Sequence, residues 1–164
     1  MRNAIIVTGA SRGIGAATAR LAAGRGFDVC VNYHRSADEA ERVVRDCRAS
    51  GAEALAVKAD MAVEADVIRM FETVDGKLGQ LSGLVNNAGI LETQMRLENI
   101  DAARLSRVMA ANVIGPFLCA REAVKRMSTK NGGAGGAIGN VSSVAARLGS
   151  PDEDVDYAAS KGAI

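Results

Sequence analysis

The stretch Thr8-Gly9-Ala10-Ser11-Arg12-Gly13-Ile14-Gly15 constrains this chain most, because it follows directly on the apolar, β-branched run Asn3-Ala4-Ile5-Ile6-Val7. Ala16-Ala17-Thr18-Ala19-Arg20-Leu21-Ala22 comes next, so the pattern reads as strand, tight turn and helix start. Glycine has no Cβ, which lets the turn take positive φ angles and lets a phosphate approach the backbone, while the free N–H groups of the first helical turn favour negative charge. The spacing is Gly-x-x-x-Gly-x-Gly, unlike the common dinucleotide fingerprint Gly-x-Gly-x-x-Gly. Alone, the turn is either a phosphate cradle or a structural turn.

The rest of the chain alternates short apolar strands with helices. Gly24 and Gly26 end the first helix; Asp28–Tyr33 reads as a strand and 37–49 as a helix with Ala40, Val43, Val44 and Cys47 on one face and Gly51 as its stop. Strand 54–59, helix 64–78 (stripe Val67, Ile68, Phe71, Val74) and strand 81–86 follow, then one long helix over 102–127. Gly132-Gly133-Ala134-Gly135-Gly136 is a loop, and 137–142 is a fifth strand weakened by Gly139. This alternation predicts a single α/β domain over 1–164, a doubly wound parallel sheet flanked by helices.

Composition narrows the possible partners. Twenty basic against nineteen acidic residues give a net charge of +1, with no basic stripe, which argues against nucleic acid. No apolar run approaches the ~20 residues of a membrane span, and the first strand begins almost at Met1, so the expected setting is the cytoplasm. Cys30, Cys47 and Cys119 are widely spaced and His34 is the one histidine, which predicts neither disulfides nor a metal site.

In such a sheet, ligands sit at the carboxyl ends of the strands. Residues 8–15, 32–36, Asp60, Asn86-Asn87-Ala88-Gly89 and Ser142-Ser143 all fall there, so five strand ends are expected to meet at one crevice. An NAD site offers an acid beyond the second strand, whereas NADP needs a cation. Here Asn32-Tyr33-His34-Arg35-Ser36 has no acid. Arg12 and Arg35 are therefore either ligands of a 2′-phosphate, favouring NADP over NAD, or solvated charges. Further on, Tyr157 and Lys161 stand one helical turn apart in Tyr157-Ala158-Ala159-Ser160-Lys161. A phenol is a poor acid or base near neutrality, and an adjacent ammonium stabilises the phenolate. Ser143 could donate a hydrogen bond to a substrate oxygen, with Ser142 as the other candidate. Taken singly, the Tyr-Lys pair is also an ordinary helix face.

Together these segments resemble the short-chain dehydrogenase/reductase family, in its group of roughly 250 residues per chain. The matching motifs are residues 8–15, Asp60, Asn86-Asn87-Ala88-Gly89, Asn112, Ser143, and Tyr157 with Ser160-Lys161. The resemblance implies a Rossmann fold and carbonyl/alcohol interconversion by hydride transfer. It implies Tyr157 as acid/base, Lys161 as its activator and nicotinamide-ribose ligand, Ser143 orienting the substrate oxygen, and Asn112 holding a relay water or else capping a backbone group. Cofactor contacts would come from Gly9, Ser11, Arg12, Gly13, Ile14, Gly15, Arg35, Asp60, Met61, Asn87, Ala88, Gly89, Tyr157 and Lys161. The partners implied are a small carbonyl or alcohol substrate and a second copy of the chain, in a homodimer or homotetramer that pairs the 102–127 and Tyr157 helices.

Two departures from the family pattern stand out. The chain stops three residues after Lys161, where the family continues through further elements, so the fold is expected to lack its last strand or strands and to leave strand five as an exposed edge. The alternative to an oxidoreductase is then a non-catalytic dinucleotide-binding or interaction fragment. The run Asp152-Glu153-Asp154-Val155-Asp156, just before Tyr157, reads as a solvated loop.

Overall fold

Five parallel strands form one sheet in the order β3-β2-β1-β4-β5 in the computed structural model, which describes residues 3–164. Met1 and Arg2, on which the expected start of the chain rests, lie outside the described residues. The central strand β1 (Ala4–Val7) pairs with β2 (Asp28–Tyr33) on one side and β4 (Leu81–Asn86) on the other. Ala4, Ile6 and Val7 are fully buried, as expected where helices cover both faces of a parallel sheet. The chain winds outward to β3 (Ala54–Lys58), then crosses back over β1 to β4, and that reversal opens a crevice between β1 and β4.

Each face of the sheet has its own core. Helices α1 (Gly13–Gly24) and α2 (Ala37–Ala49) cover one face, where Ala16, Ala19 and Ala23 of α1 let the helix lie close to Val7, Val29 and Val31. On the other face, α3 (Glu64–Lys77) and α5 (Gly115–Met127) bury Met70, Phe71, Val74 and Cys119 against Ile6, Cys30 and Leu84. Phe71 is fully buried, a side chain whose removal from water is worth about 1.5–3 kcal/mol.

The long helix expected over 102–127 is interrupted. It divides into α4 (Ala102–Met109), a π turn over Ala110–Ile114, and α5. Pro116 explains the break: it has no N–H to give the carbonyl of Asn112 four residues earlier, and its ring crowds that carbonyl. The following turn needs Gly115, because a Cβ there would lie 2.6 Å from the Met61 carbonyl oxygen. Strand β5 (Ala137–Asn140) is two residues shorter than expected and exposed at every position. It ends where the Val141 carbonyl accepts a hydrogen bond from Lys161 Nζ at 2.8 Å. Two short helices, α6 (Ala145–Leu148) and α7 (Val155–Ala163), complete the chain. No helix among the described residues is long and apolar enough to cross a membrane.

Candidate functional site

A cavity of about 840 Å³ runs along the carboxyl ends of β1, β2, β3 and β4. Its floor is the turn between β1 and α1. Gly9 (φ +61°) and Gly13 (φ +57°) take left-handed backbone, and a Cβ on Gly9 would also lie 2.9 Å from Ala88 Cα, so steric room and dihedral angle both require glycine at position 9. Polar side chains set the turn in place. Asn32 Oδ1 accepts the Gly9 N–H at 3.0 Å, while Asn32 Nδ2 donates to the carbonyls of Val57 and Ala59. Thr8 Oγ1 accepts the N–H groups of Asn87 and Ala88, each at 3.0 Å, and Asn87 Nδ2 donates to the carbonyls of Thr8 and Gly9. Four strand ends, those of β1, β2, β3 and β4, are thereby tied into one floor.

The residues around this floor suit an anionic ligand. Helix α1 begins over the cavity with no side-chain cap at Arg12 and no acid in its first turn, which leaves its first N–H groups and its dipole to face negative charge. Arg12 and Arg35 line the same cavity, and neither forms an ion pair among the described residues. Asp60 and Met61 line its β3 end, where Asp60 Oδ2 lies 3.6 Å from His34 Nε2 and Asp60 Oδ1 accepts the Ala62 N–H at 2.9 Å. Ser11 and Ile14 lie beside the glycines, with Ile14 66% exposed as an apolar platform. On this chemistry the site fits a dinucleotide with its pyrophosphate at the glycine turn.

Gly15, Asn112, Ser143, Tyr157 and Lys161 do not line the cavity: Gly15 packs beneath the turn against Asn87 and Gly9, and Asn112 and Lys161 stand behind Gly89. Lys161 is buried in α7, with its Nζ 5.9 Å from the centre of the Tyr157 ring and 2.8 Å from the Val141 carbonyl oxygen. A Cβ on Gly89 would lie 3.4 Å from that Nζ, so the ammonium sits directly behind the cavity wall. Burial pushes the Lys161 pKa below its ordinary value. Asn112 is fully buried in the π turn; its Oδ1 accepts the Ile90 N–H at 2.7 Å, and its Nδ2 donates to the Ile90 carbonyl and to Ser160 Oγ. Ser143 Oγ accepts the Ala145 N–H at 3.2 Å, while Ser142 Oγ donates to the Lys161 carbonyl at 2.7 Å. Four strand ends, not five, therefore meet at the cavity: the Ser142-Ser143 segment turns toward α7, where Ser142 and Lys161 are bonded.

A second expectation fails in the run 152–156. Asp154 and Asp156 are buried rather than solvated, and both Asp156 oxygens accept hydrogen bonds from Arg104 of α4. Sequence reasoning placed Thr8, Asn32 and His34 at the crevice, as observed for His34 in the lining, but missed the anchoring roles of Thr8, Asn32 and Ser160 and passed over Ser106 and Arg107 as cavity lining. Asn32 carried a usable signal, an amide within the apolar strand Val29-Cys30-Val31-Asn32-Tyr33; the others carried none.

Comparison with known proteins agrees with this geometry. A family model described as short chain dehydrogenase matches residues 3–164. The chain is 56% identical over 159 residues to the uncharacterised oxidoreductase YgfF of Escherichia coli (strain K12), covering 97% of this chain and 64% of that protein. It is 39% identical over 163 residues to a 3-oxoacyl-[acyl-carrier-protein] reductase of Synechocystis, covering 97% and 62%. Among solved structures, the acetoin dehydrogenase of Enterobacter cloacae superposes with a TM-score of 0.91 at 32% identity, covering 99% of this chain and 63% of that one. The chain thus spans somewhat under two thirds of the length of these relatives.

Proposed function

The chain belongs to the short-chain dehydrogenase family, and from that premise we propose that it interconverts a carbonyl and an alcohol with NADP(H), using Tyr157 as acid/base. The observation that carries this reading is the buried Lys161 ammonium, which lies 5.9 Å from the centre of the Tyr157 ring and directly behind the cavity wall at Gly89. When bound, the nicotinamide cofactor donates or accepts the hydride. The chain supplies binding, orientation and the proton.

In this reading Gly9, Ser11, Arg12, Gly13, Ile14 and Gly15 hold the pyrophosphate, Asp60 and Met61 the adenine edge, and Asn87, Ala88 and Gly89 the central part of the cofactor. Arg12 and Arg35 bind a 2′-phosphate and so favour NADP(H) over NAD(H). Tyr157 transfers a proton at the substrate oxygen, Lys161 stabilises the phenolate and holds the nicotinamide ribose, and Ser143 orients the substrate oxygen. Asn112 bonds both the N–H and the carbonyl of Ile90 and also Ser160, which supports the backbone-capping role for its side chain over that of holding a relay water. The reductase and dehydrogenase named among its relatives support a small carbonyl or alcohol substrate. We place the reaction in the cytoplasm, a setting that suits three buried free thiols. Leu105, Ile114, Phe117 and Val124 are exposed along α4, the π turn and α5, which supports a homodimer or homotetramer through that face; a clean monomer in sedimentation would refute it.

The test is to titrate the full-length protein with NADPH and NADH, then follow nicotinamide absorbance with a panel of carbonyl compounds and alcohols. NADPH is expected to bind more tightly, with Arg35→Ala removing most of that preference. Tyr157→Phe is expected to lower kcat by roughly 10²- to 10⁴-fold while leaving cofactor affinity unchanged. Equal rates from Tyr157→Phe and the parent protein would overturn the mechanism.

A further inference from the structure

We propose that Arg104 is a positioning residue for proton transfer, acting through Asp156 to hold Tyr157 and the segment before it in working geometry. The proposal rests on the reading of Tyr157 as acid/base. Arg104 joins three parts of the chain that are remote in sequence. From α4, its Nε donates to Asp156 Oδ2 at 2.7 Å and its Nη2 to Asp156 Oδ1 at 3.1 Å, while its Nη1 donates to the Thr93 carbonyl in the segment after β4. Asp156 is the residue immediately before Tyr157, within the first turn of α7. Arg104 itself is fixed at the start of α4, where its N–H donates to the Asp101 cap at 2.7 Å.

The pair is placed where a merely solubilising salt bridge would not be. Its side chains are 4% and 1% exposed, and burying two charges is costly unless the geometry is good and the remaining donors are satisfied. Here the contact is bidentate, and each of the three guanidinium nitrogens donates to an oxygen. A planar guanidinium fork suits such a task because it fixes direction as well as distance. Apolar packing could join α4 to α7 but would not prescribe the rotation of the turn that carries Tyr157.

The neighbouring backbone shows what the pair holds in place. Ser150 (φ +44°) and Asp152 (φ +62°) are non-glycine residues in left-handed conformation, a strained arrangement that persists only where surrounding contacts enforce it. Two further contacts join the same two segments: the Met95 N–H donates to the Glu153 carbonyl at 2.9 Å, and Arg96 lies 3.6 Å from Asp152. The Arg96 contact is exposed on both sides and so is worth little alone. The Met95 bond holds the strained turn at Glu153, and the buried link through Arg104 fixes the entry into α7 at Asp156, next to Tyr157.

The experiment uses the full-length protein saturated with NADPH and compares Arg104→Lys, Asp156→Asn, the paired variant Arg104→Met with Asp156→Leu, and Tyr157→Phe. For each, thermal midpoint, NADPH affinity, kcat and the solvent deuterium isotope effect on kcat are measured. Arg104→Lys keeps the charge and loses the fork; kcat is expected to fall by about tenfold to a hundredfold, with NADPH affinity unchanged and a larger isotope effect as proton transfer becomes limiting. The paired apolar variant is expected to recover the thermal midpoint and leave kcat depressed. If kcat instead tracks the thermal midpoint through the series, so that the apolar pair recovers both, Arg104 is only structural and the proposal fails. The paired variant keeps this outcome readable even if a single variant does not fold. Full activity in Tyr157→Phe would overturn the underlying mechanism, whereas loss of activity there with normal kinetics in Arg104→Lys and Asp156→Asn would overturn this proposal alone.

Discussion

Strands β1 and β5 have the same length and lie in the same sheet, yet β1 buries Ala4, Ile6 and Val7 completely while β5 is exposed at all four positions. The contrast extends to what surrounds them. Around β1 and β2 the glycine turn sits on an apolar core, with Asn32 and Asn87 pinning it from beneath. Around β5 and α7, order comes from individual polar contacts: Lys161 to Val141, Ser142 to Lys161, Asn112 to Ser160 and Arg104 to Asp156. Apolar burial is cooperative and indifferent to pH, whereas a set of polar links can open one at a time. The cofactor end of the site is thus built for rigidity, and the end carrying Tyr157 is tied by contacts that solution conditions can reach.

The largest expected effect comes from removing what both regions share. Phe71 is fully buried in the core between α3, α5 and the sheet, so Phe71→Ala should cost about 3–5 kcal/mol. Denaturant unfolding followed by hydrogen exchange is the measurement. Protection in β1 and in α7 should fall together, because the whole fold is weakened. Loss confined to one region would mean that the two ends unfold independently.

Acid should separate the regions. Arg104 holds the Asp156 carboxyl below the ordinary carboxylate range, against burial, which pushes it up. A carboxyl lowered in the folded state adds stability that is present above its unfolded value and lost as the pH falls through the lowered one. The same direction holds for Asp66, Glu92, Glu98 and Glu122, whereas β1 and β2 rest on the apolar core they share with α1 and α2. Below the ordinary carboxylate range, exchange in α7 and in residues 92–98 should therefore rise, by at most about tenfold per pH unit for each proton taken up, while β1 and β2 stay protected. Simultaneous loss in both regions would mean that the two ends share one acid-sensitive unit.

The same division governs what could be read from the sequence. The glycine turn, the five strands and the Tyr157–Lys161 pair were legible because each is a local pattern: an apolar run, a glycine spacing, a separation of four on a helix. The π turn was legible in principle, since Pro116 removes the donor that Asn112 would need, but helical periodicity ran through both flanks and concealed it. Asp156 was misread as solvated because its partner, Arg104, lies 52 residues away and nothing local distinguishes a buried acid from a surface one. The fifth strand end missed the cavity for a similar reason: the hydrogen bond from Ser142 to the Lys161 carbonyl spans 19 residues.

The smallest expected effect tests whether β5 is weak through its own composition or through its position at the edge. Gly139 pairs with Val85, and a Cβ added there meets no described atom within 4 Å, so a larger side chain is accommodated without strain. Glycine loses more backbone freedom on folding than any other residue, and a β-branched replacement favours the extended state. Gly139→Val should therefore raise stability by about 0.5–1 kcal/mol, read as a higher denaturant midpoint and slower exchange over residues 137–140, with β1 and β2 unchanged. An unchanged midpoint would mean that β5 is limited by its exposure, since the added side chain would have nothing to pack against. Slower exchange that also reached α7 would mean that β5 and the Lys161–Val141 contact open as one unit.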